Sequence, residues 1–155
     1  MTCIQDRDIK ITATPNRAGN GFDFTMSDKD GNPISDDKIE SHKNDSHKKK
    51  DYHAFHFTLE TTDGSNLAFL KDPFDVMWVA PIDGTTKPDF CPNKRVTDED
   101  FCVGEITDTT LTVYNANSRK HDFKFVLNFV WTKQNKSRQD VRYDPVWTNG
   151  NGGAP

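Results

Sequence analysis

Large apolar side chains recur at every second position in most segments of this chain of 155 residues. The longest such run is FKFVLNFVW, and its alternating members are Phe123, Phe125, Leu127, Phe129 and Trp131. Successive side chains of a β-strand point to opposite faces, so a period of two is typical of strands with one buried face. Since no segment shows a sustained helical stripe, the sequence predicts an all-β protein.

The same alternation occurs in six shorter segments. They are residues 8–14, 21–26, 53–60, 66–70, 74–80 and 110–115. Stretches rich in Asp, Asn and Gly separate them, as expected of turns and hairpin loops between strands. About seven to eight short strands in a chain of this length predict an immunoglobulin-like antiparallel β-sandwich, with a small β-barrel as the alternative.

Composition is compatible with a single domain spanning residues 1–155. Only 33% of the residues are hydrophobic, but 11 of them are phenylalanine. Each aromatic side chain buries roughly 150–250 Å², so a few large residues can fill a core. A chain of this length is also long enough to bury about two thirds of its unfolded surface.

Two stretches interrupt the strand pattern. Residues 33–51, PISDDKIESHKNDSHKKKD, contain almost no apolar side chains, and we expect them to form one exposed charged loop. Residues 81–100 contain several prolines together with Phe90 and Cys91. We expect this second stretch to be a packed loop with one short helical turn after Thr97.

The chain ends in a glycine-rich tail, residues 146–155, which contains Trp147. Pro145 cannot donate a hydrogen bond to a β-ladder, so we expect it to end the last strand or to place that strand at a sheet edge. A large aromatic side chain gains nothing from exposure on a flexible tail. We therefore expect Trp147 to be buried, either on its own sandwich or on a neighbouring chain.

The charge balance is mild, with 24 acidic and 20 basic residues and a net charge of -4. The one basic concentration, Lys48–Lys50, is diluted by Asp45 and Asp51, so nucleic acid is not a predicted partner. No stretch approaches the ~20 apolar residues that span a bilayer. Charged residues stand near the first residue where a signal peptide needs an apolar run, and the three cysteines are an odd number. These features predict a cytoplasmic protein without a membrane partner.

Potential metal ligands are poorly arranged for binding an ion. His53 and His56 are three positions apart in one predicted strand, so they face opposite sides. Cys91 and Cys102 lack a metal-binding spacing and are expected to be buried thiols. The segment DKDGN, residues 28–32, lacks the glycine and glutamate positions of a calcium loop and predicts a tight hairpin turn. Neither a metal nor a cofactor is predicted.

Enzyme motifs are scarce. The sequence contains no nucleophile elbow, no phosphate-binding loop and no dinucleotide fingerprint, and no catalytic residue is predicted. One enzyme hypothesis stays open, a hydrolase with carboxylates in the 81–105 loop. The acidic residues that could form such a site are Asp98, Glu99, Asp100 and Glu105.

The segment TLTVYNANSRKHDFKFVLNFVW, followed by RYDPVWTNGNGG, resembles the C-terminal half of a small bacterial family, the DP-EP family. Members of that family pair a TVxNxN strand end with a YDPxxxNxGG tail. The matching positions are Asn115, Asn117, Tyr143, Asp144, Pro145, Asn149, Gly152 and Gly153. The resemblance covers residues 104–153 and implies an immunoglobulin-like β-sandwich. It implies no particular activity and no catalytic residues.

The first functional hypothesis is a non-enzymatic protein-binding or self-assembly module, whose partner is a second copy or another protein. Its expected docking residues are Tyr143, Asp144, Pro145, Trp147 and Asn149. The alternative, from a different class, is a β-sandwich that binds a carbohydrate or another small ligand. Its candidate aromatic residues are Tyr52, Trp78 and Tyr114.

Overall fold

The protein is built from β-strands in a computed structural model that describes residues 3–43, 51–82, 92, 100–117 and 121–151. These residues contain eleven strands and one 3-10 turn, Ser35–Asp37. The strands are β1 (Cys3–Pro15), β2 (Phe22–Asp28), β3 (Lys38–Lys43), β4 (Tyr52–Thr61), β5 (Asn66–Phe69), β6 (Met77–Pro81), β7 (Phe101–Ile106), β8 (Thr110–Asn115), β9 (His121–Thr132), β10 (Arg138–Tyr143) and β11 (Val146–Asn151). Nowhere in these ranges is there a helix long and apolar enough to cross a membrane.

The strands form two sheets. The first has the order β2-β1-β4-β8-β7. In the second, the long strand β9 pairs with β10 and β11 along one edge and with β5 and β6 along the other, and β3 pairs with β11. Most neighbours are antiparallel, but β1 is parallel to β4 and β3 is parallel to β11. The described ranges contain eleven strands where about seven to eight were predicted, and these two pairings are parallel where antiparallel ones were predicted.

Aromatic side chains join the two sheets face to face. Phe24 of β2 stacks on Phe129 of β9 with ring centroids 5.3 Å apart. Phe101 of β7 meets Phe123 of β9 edge-on at 5.1 Å. Two sheets with a shared aromatic core confirm the predicted β-sandwich, and across the described ranges the strands do not close into the alternative barrel.

The C-terminal residues continue the line of β10 along the same edge of β9. Tyr143 of β10 lies opposite Leu127, and Val146 of β11 lies opposite Lys124. The spacing is the same on both strands, so no residue is inserted between the two pairings. β10 and β11 therefore form one extended run with an unchanged register.

Pro145 lies within this run and does not end it. The Phe125 N–H donates to the Pro145 carbonyl at 3.1 Å, so the proline still accepts a ladder hydrogen bond. A proline removes only one backbone donor, and the residues that follow can pair normally. The prediction was that Pro145 ends the last strand or places it at a sheet edge. β10 ends at Tyr143 and lies at the edge of its sheet, but Pro145 is followed by a further strand, since pairing with β9 resumes at Val146.

Residues 146–151 are not a loose tail but the strand β11, inserted between β9 and β3. Glycine and asparagine are poor strand formers. Here the ladders to both neighbouring strands override that preference. The predicted glycine-rich tail over residues 146–155 is therefore wrong for Val146–Asn151, and residues 152–155 lie outside the described ranges.

The charged segment 33–51 also contains a strand. β3 pairs with β11, and its inward residues Ile39 and Ser41 are each only 1% exposed. The prediction of one exposed loop is wrong there, because Ile39 and Ser41 face inward while the charged residues Lys38 and Glu40 between and beside them are exposed. Residues 44–50 lie outside the described ranges.

Two of the segments predicted to be turns or hairpin loops, residues 62–66 and the segment after β8, connect the two sheets. The loop after β4 leads to β5 in the second sheet, and the segment after β8 leads to β9. The loop between β9 and β10 is a hairpin, as predicted. The predicted turn at residues 28–32 is also confirmed, since the Asp28 side chain accepts the N–H groups of Asp30 and Asn32.

Trp147 occupies the centre of the core and is 0% exposed, as predicted. Its ring lies edge-on to Phe55 at 4.5 Å and to Phe101 at 5.1 Å, both in the opposite sheet. Its indole N–H donates to Ser41 Oγ of β3 at 2.8 Å. One side chain of β11 is thus in contact with both sheets.

Replacing Trp147 with alanine is expected to lower the free energy of unfolding by about 3–5 kcal/mol, because a fully buried aromatic ring is lost. Urea unfolding followed by circular dichroism measures this difference. Trp78→Ala is the control, since Trp78 is half-buried on an outer face. A loss for Trp147→Ala no larger than that for Trp78→Ala would contradict a central role of β11.

Candidate functional site

Two fully buried asparagines join β11 to the first sheet. Asn115 ends β8, and Asn149 lies on β11. The Asn115 Nδ2 donates to Asn149 Oδ1 at 2.7 Å, and the Asn149 Nδ2 donates back to Asn115 Oδ1 at 3.3 Å. A buried amide without partners is costly, so this reciprocal pair fixes both strands relative to each other.

Asn117 extends this pair into a network. Its backbone N–H donates to Asn115 Oδ1 at 2.9 Å. Its side-chain Nδ2 contacts the carbonyls of Ser41 and Gly150, each at 3.3 Å, and so bridges β3 and β11. Asn117 has a φ of 46°, in the left-handed region that asparagine tolerates better than most residues, whereas Asn115 stays within β8. We call Asn115, Asn117 and Asn149 the asparagine cluster.

Other buried polar residues lie at the same end of the sandwich. They are Ser41, Asp51, His53 and Asp100. Strands β4 and β7 begin at this end, and β3, β8 and β11 finish there. Within the described ranges, no three His, Cys, Asp or Glu side chains lie close enough together to hold a metal ion.

The five predicted docking residues lie on the run formed by β10 and β11. Tyr143, Pro145, Trp147 and Asn149 are buried, and only Asp144 is exposed. They therefore do not form a common surface for a partner. Of the two predicted alternatives, docking on its own sandwich is the one observed for Trp147.

Tyr143 is held by a short hydrogen bond at the edge of the second sheet. Its hydroxyl donates to Asp37 Oδ1 at 2.6 Å. Burial raises the pKa of Tyr143 far above its ordinary value, and the hydrogen bond to the Asp37 carboxylate raises it further. The neutral phenol is therefore strongly favoured in the folded protein.

An aromatic pair lies on the outer face of the first sheet. Tyr52 and Tyr114 meet edge-on with ring centroids 5.6 Å apart, and Tyr114 is 37% exposed. Opposite Tyr114 on the edge strand β7 is Cys102, a free and exposed thiol. The prediction that Cys102 is buried is wrong, because it faces outward on β7, and Cys91 lies outside the described ranges. We call Tyr52, Ala54, Cys102, Gly104 and Tyr114 the tyrosine face.

A polar row runs across three strands beside the tyrosine face. His56 Nε2 lies 3.0 Å from Asp6 Oδ1, and its Nδ1 lies 3.2 Å from Thr112 Oγ1. His53, three residues earlier, is buried. The two histidines thus face opposite sides of β4, as their spacing predicts.

Trp78 lies on the outer face of the second sheet, next to a cleft of about 230 Å³. We call this cleft the arginine cleft. Its lining includes Asp75, Trp78, Asn128, Asp140 and Arg142. A larger cleft of about 550 Å³ lies between the turn after β4 and the β9–β10 hairpin. The carboxylate of Asp63 there is engaged by Ser65 within its own turn.

The described carboxylates of the 81–105 loop do not form a catalytic pair. Asp100 is buried at the start of β7, and Glu105 is exposed near its end. Five residues of strand separate them by about 16 Å. Paired carboxylates of glycosidases lie about 5–9.5 Å apart. Asp98 and Glu99 lie outside the described ranges.

No model of a known protein family matches this chain, and the search of curated proteins finds no match. The sequence indicated the asparagine cluster and the outward tyrosines, but not the residues around Trp78.

The asparagine cluster is expected to stabilise the fold as a unit. Asn115→Ala and Asn149→Ala should each cost about 1–3 kcal/mol, because each leaves the other amide without its partner. The double variant should cost less than the sum of the two. Urea unfolding of all three measures the coupling, and Asn66→Ala on the exposed surface of β5 is the control. Additive losses would show that the two amides act independently.

The raised pKa of Tyr143 predicts a loss of stability in alkali. Above about pH 10, the ordinary tyrosine pKa, the unfolded chain releases a proton that the folded chain retains. The stabilisation from Tyr143 is therefore complete below that pH and falls by up to about 1.4 kcal/mol per pH unit above it. Urea unfolding of the wild type and Tyr143→Phe isolates this effect, because other groups titrate equally in both. A constant difference between them would contradict the neutral buried phenol.

Proposed function

We propose that the chain is a non-enzymatic protein-binding module that self-assembles through the tyrosine face. Trp147 is buried in its own sandwich, so a contact surface for a partner must be sought elsewhere. Tyr114 and Phe74 are the large hydrophobic residues most exposed in the described ranges. Of these two, Tyr114 has a ring that packs against Gly104 and Tyr52 of its own sheet.

The close packing of the Tyr114 ring over Gly104 is the observation on which this proposal rests. A Cβ at Gly104 would lie 2.9 Å from Tyr114 Cε2, so a larger residue at this position would displace the ring from where it lies. Glycine within a strand costs about 0.5–1 kcal/mol relative to alanine. The chain bears this cost at an edge strand to hold a solvent-facing ring, which supports a role for the ring in contact with a partner.

The chemistry of the tyrosine face suits a protein partner. Tyrosine is enriched among the residues that contribute most to interfaces, and a ring already held in place loses little entropy on binding. Tyr52 fixes Tyr114 from the side, and the row of Asp6, His56 and Thr112 supplies a polar rim. An aromatic centre with a polar rim is the usual anatomy of an interface.

A second copy of the chain is the partner that we propose. A twofold-symmetric dimer brings the same patch of both subunits together, so a self-complementary tyrosine pair can serve both sides. We also propose that the chain is related to the DP-EP family, that its strand arrangement is immunoglobulin-like and that it is located in the cytoplasm. The hydrogen bonds that connect Asn115, Asn117 and Asn149 support the resemblance, since they link its two motifs.

Tyr114→Ser is expected to convert a dimer into a monomer, because it removes the exposed ring while leaving the core unchanged. Sedimentation velocity over a range of protein concentrations measures the mass. Phe74→Ser is the matched control, since Phe74 is 58% exposed on another surface. Gly104→Ala should also weaken the dimer, because the added methyl group displaces the Tyr114 ring.

Two results would contradict the proposal. One is a wild-type chain that stays monomeric at every concentration. The other is a dimer that persists in Tyr114→Ser, which would place the interface on a different surface. Circular dichroism of each variant verifies that the sandwich is intact.

A further inference from the structure

We infer that the arginine cleft binds a neutral sugar unit of the pyranoside class. The cleft exists because the chain between β5 and β6 leaves the edge of β9 and returns beyond it. Asn128 lies at this gap: its carbonyl accepts from Leu70 N–H at 3.0 Å, and its N–H donates to the Val76 carbonyl at 2.8 Å. The loop between these contacts forms one wall of the cleft.

Asn128 offers the cleft a side-chain acceptor. Asn128 is 6% exposed, and its Nδ2 donates to the Asp75 carbonyl at 2.6 Å. No hydrogen bond among the described residues uses its Oδ1. Asn128 also lines the cleft, so this acceptor is open to a molecule bound there. A ligand hydroxyl would donate to it.

Two charged residues of β10 form the opposite wall. Asp140 and Arg142 are both exposed and lie on the same side of the strand, about 7 Å apart by strand geometry. Within the described ranges neither forms an ion pair. The cleft therefore offers an uncommitted acceptor and an uncommitted donor side by side.

Trp78 holds Arg142 in position. The guanidinium carbon lies 4.8 Å from the centroid of the Trp78 ring, and the indole N–H donates to Asp75 Oδ1 at 3.2 Å. A stacked guanidinium is fixed in orientation and keeps its N–H groups free to donate in its own plane. Trp78 therefore acts through Arg142, and its covered face is not an open stacking platform.

The combination of these groups selects a neutral polyol. A sugar hydroxyl both donates and accepts, so neighbouring hydroxyls can bond Asp140, Asn128 Oδ1 and Arg142 together. The two carboxylates, Asp75 and Asp140, outnumber the one guanidinium and disfavour an anion. A volume of about 230 Å³ is below the ~300–1,000 Å³ of pockets for drug-sized ligands, so the cleft suits one ring.

Nuclear magnetic resonance of the Trp78 indole N–H tests this inference directly. Methyl β-D-glucopyranoside, methyl β-D-galactopyranoside and methyl α-D-mannopyranoside are titrated separately, with glycine as a zwitterion for comparison. At least one glycoside is expected to shift the Trp78 signal saturably, with a Kd on the order of 1–10 mM for so few contacts. The Trp147 indole signal should not move, and it reports an intact core.

Arg142→Ala and Asp140→Asn are each expected to weaken binding roughly tenfold or more, since each removes a charge-assisted hydrogen bond. Arg138→Ala is the matched control, because Arg138 is exposed on the same strand but outside the cleft. The inference is overturned if no glycoside shifts the signal, if the shift survives both cleft variants, or if glycine alone produces it. The tyrosine face is not involved, so this test is independent of self-assembly.

Discussion

The buried indole of Trp147 connects strands that are remote in the sequence. It packs on Phe55 and Phe101 in the first sheet and donates to Ser41 of β3, which is 106 residues away. Among the described strands, β3 pairs only with β11. The second sheet is therefore completed only when β11 has inserted. Contacts over such separations are expected to slow folding, because the entropy of loop closure is lost before they form.

The sequence predicted those parts of the fold that depend on local alternation. The run from Phe123 to Trp131 needs no partner to show its period, and it became the central strand β9. β3 was missed because its buried residues Ile39 and Ser41 show no alternating apolar pattern, and its place comes from β11 rather than from its own residues. The course of the chain beyond Pro145 was also missed, since continuous pairing with β9 compensates for the one absent donor.

The asparagine cluster and the arginine cleft also differ in how far the sequence alone predicts them. Two short motifs in the sequence contain Asn115, Asn117 and Asn149, but only the folded chain brings their amides together across the two sheets. The arginine cleft leaves no comparable signal. Asn128 and Arg142 are common residues on different strands, and the β9–β10 register brings them opposite each other. A single sequence does not encode that register in a visible pattern.

The two outer faces of the sandwich can act at the same time. The tyrosine face lies on the first sheet and the arginine cleft on the second, and they share no residue. A dimer joined through its tyrosine faces would therefore carry two clefts on surfaces that stay open to solvent. A shallow cleft binds one sugar weakly, but two clefts on one particle make the second contact to a glycan intramolecular. Self-assembly would then turn a weak site into an effective one without any change in the cleft itself.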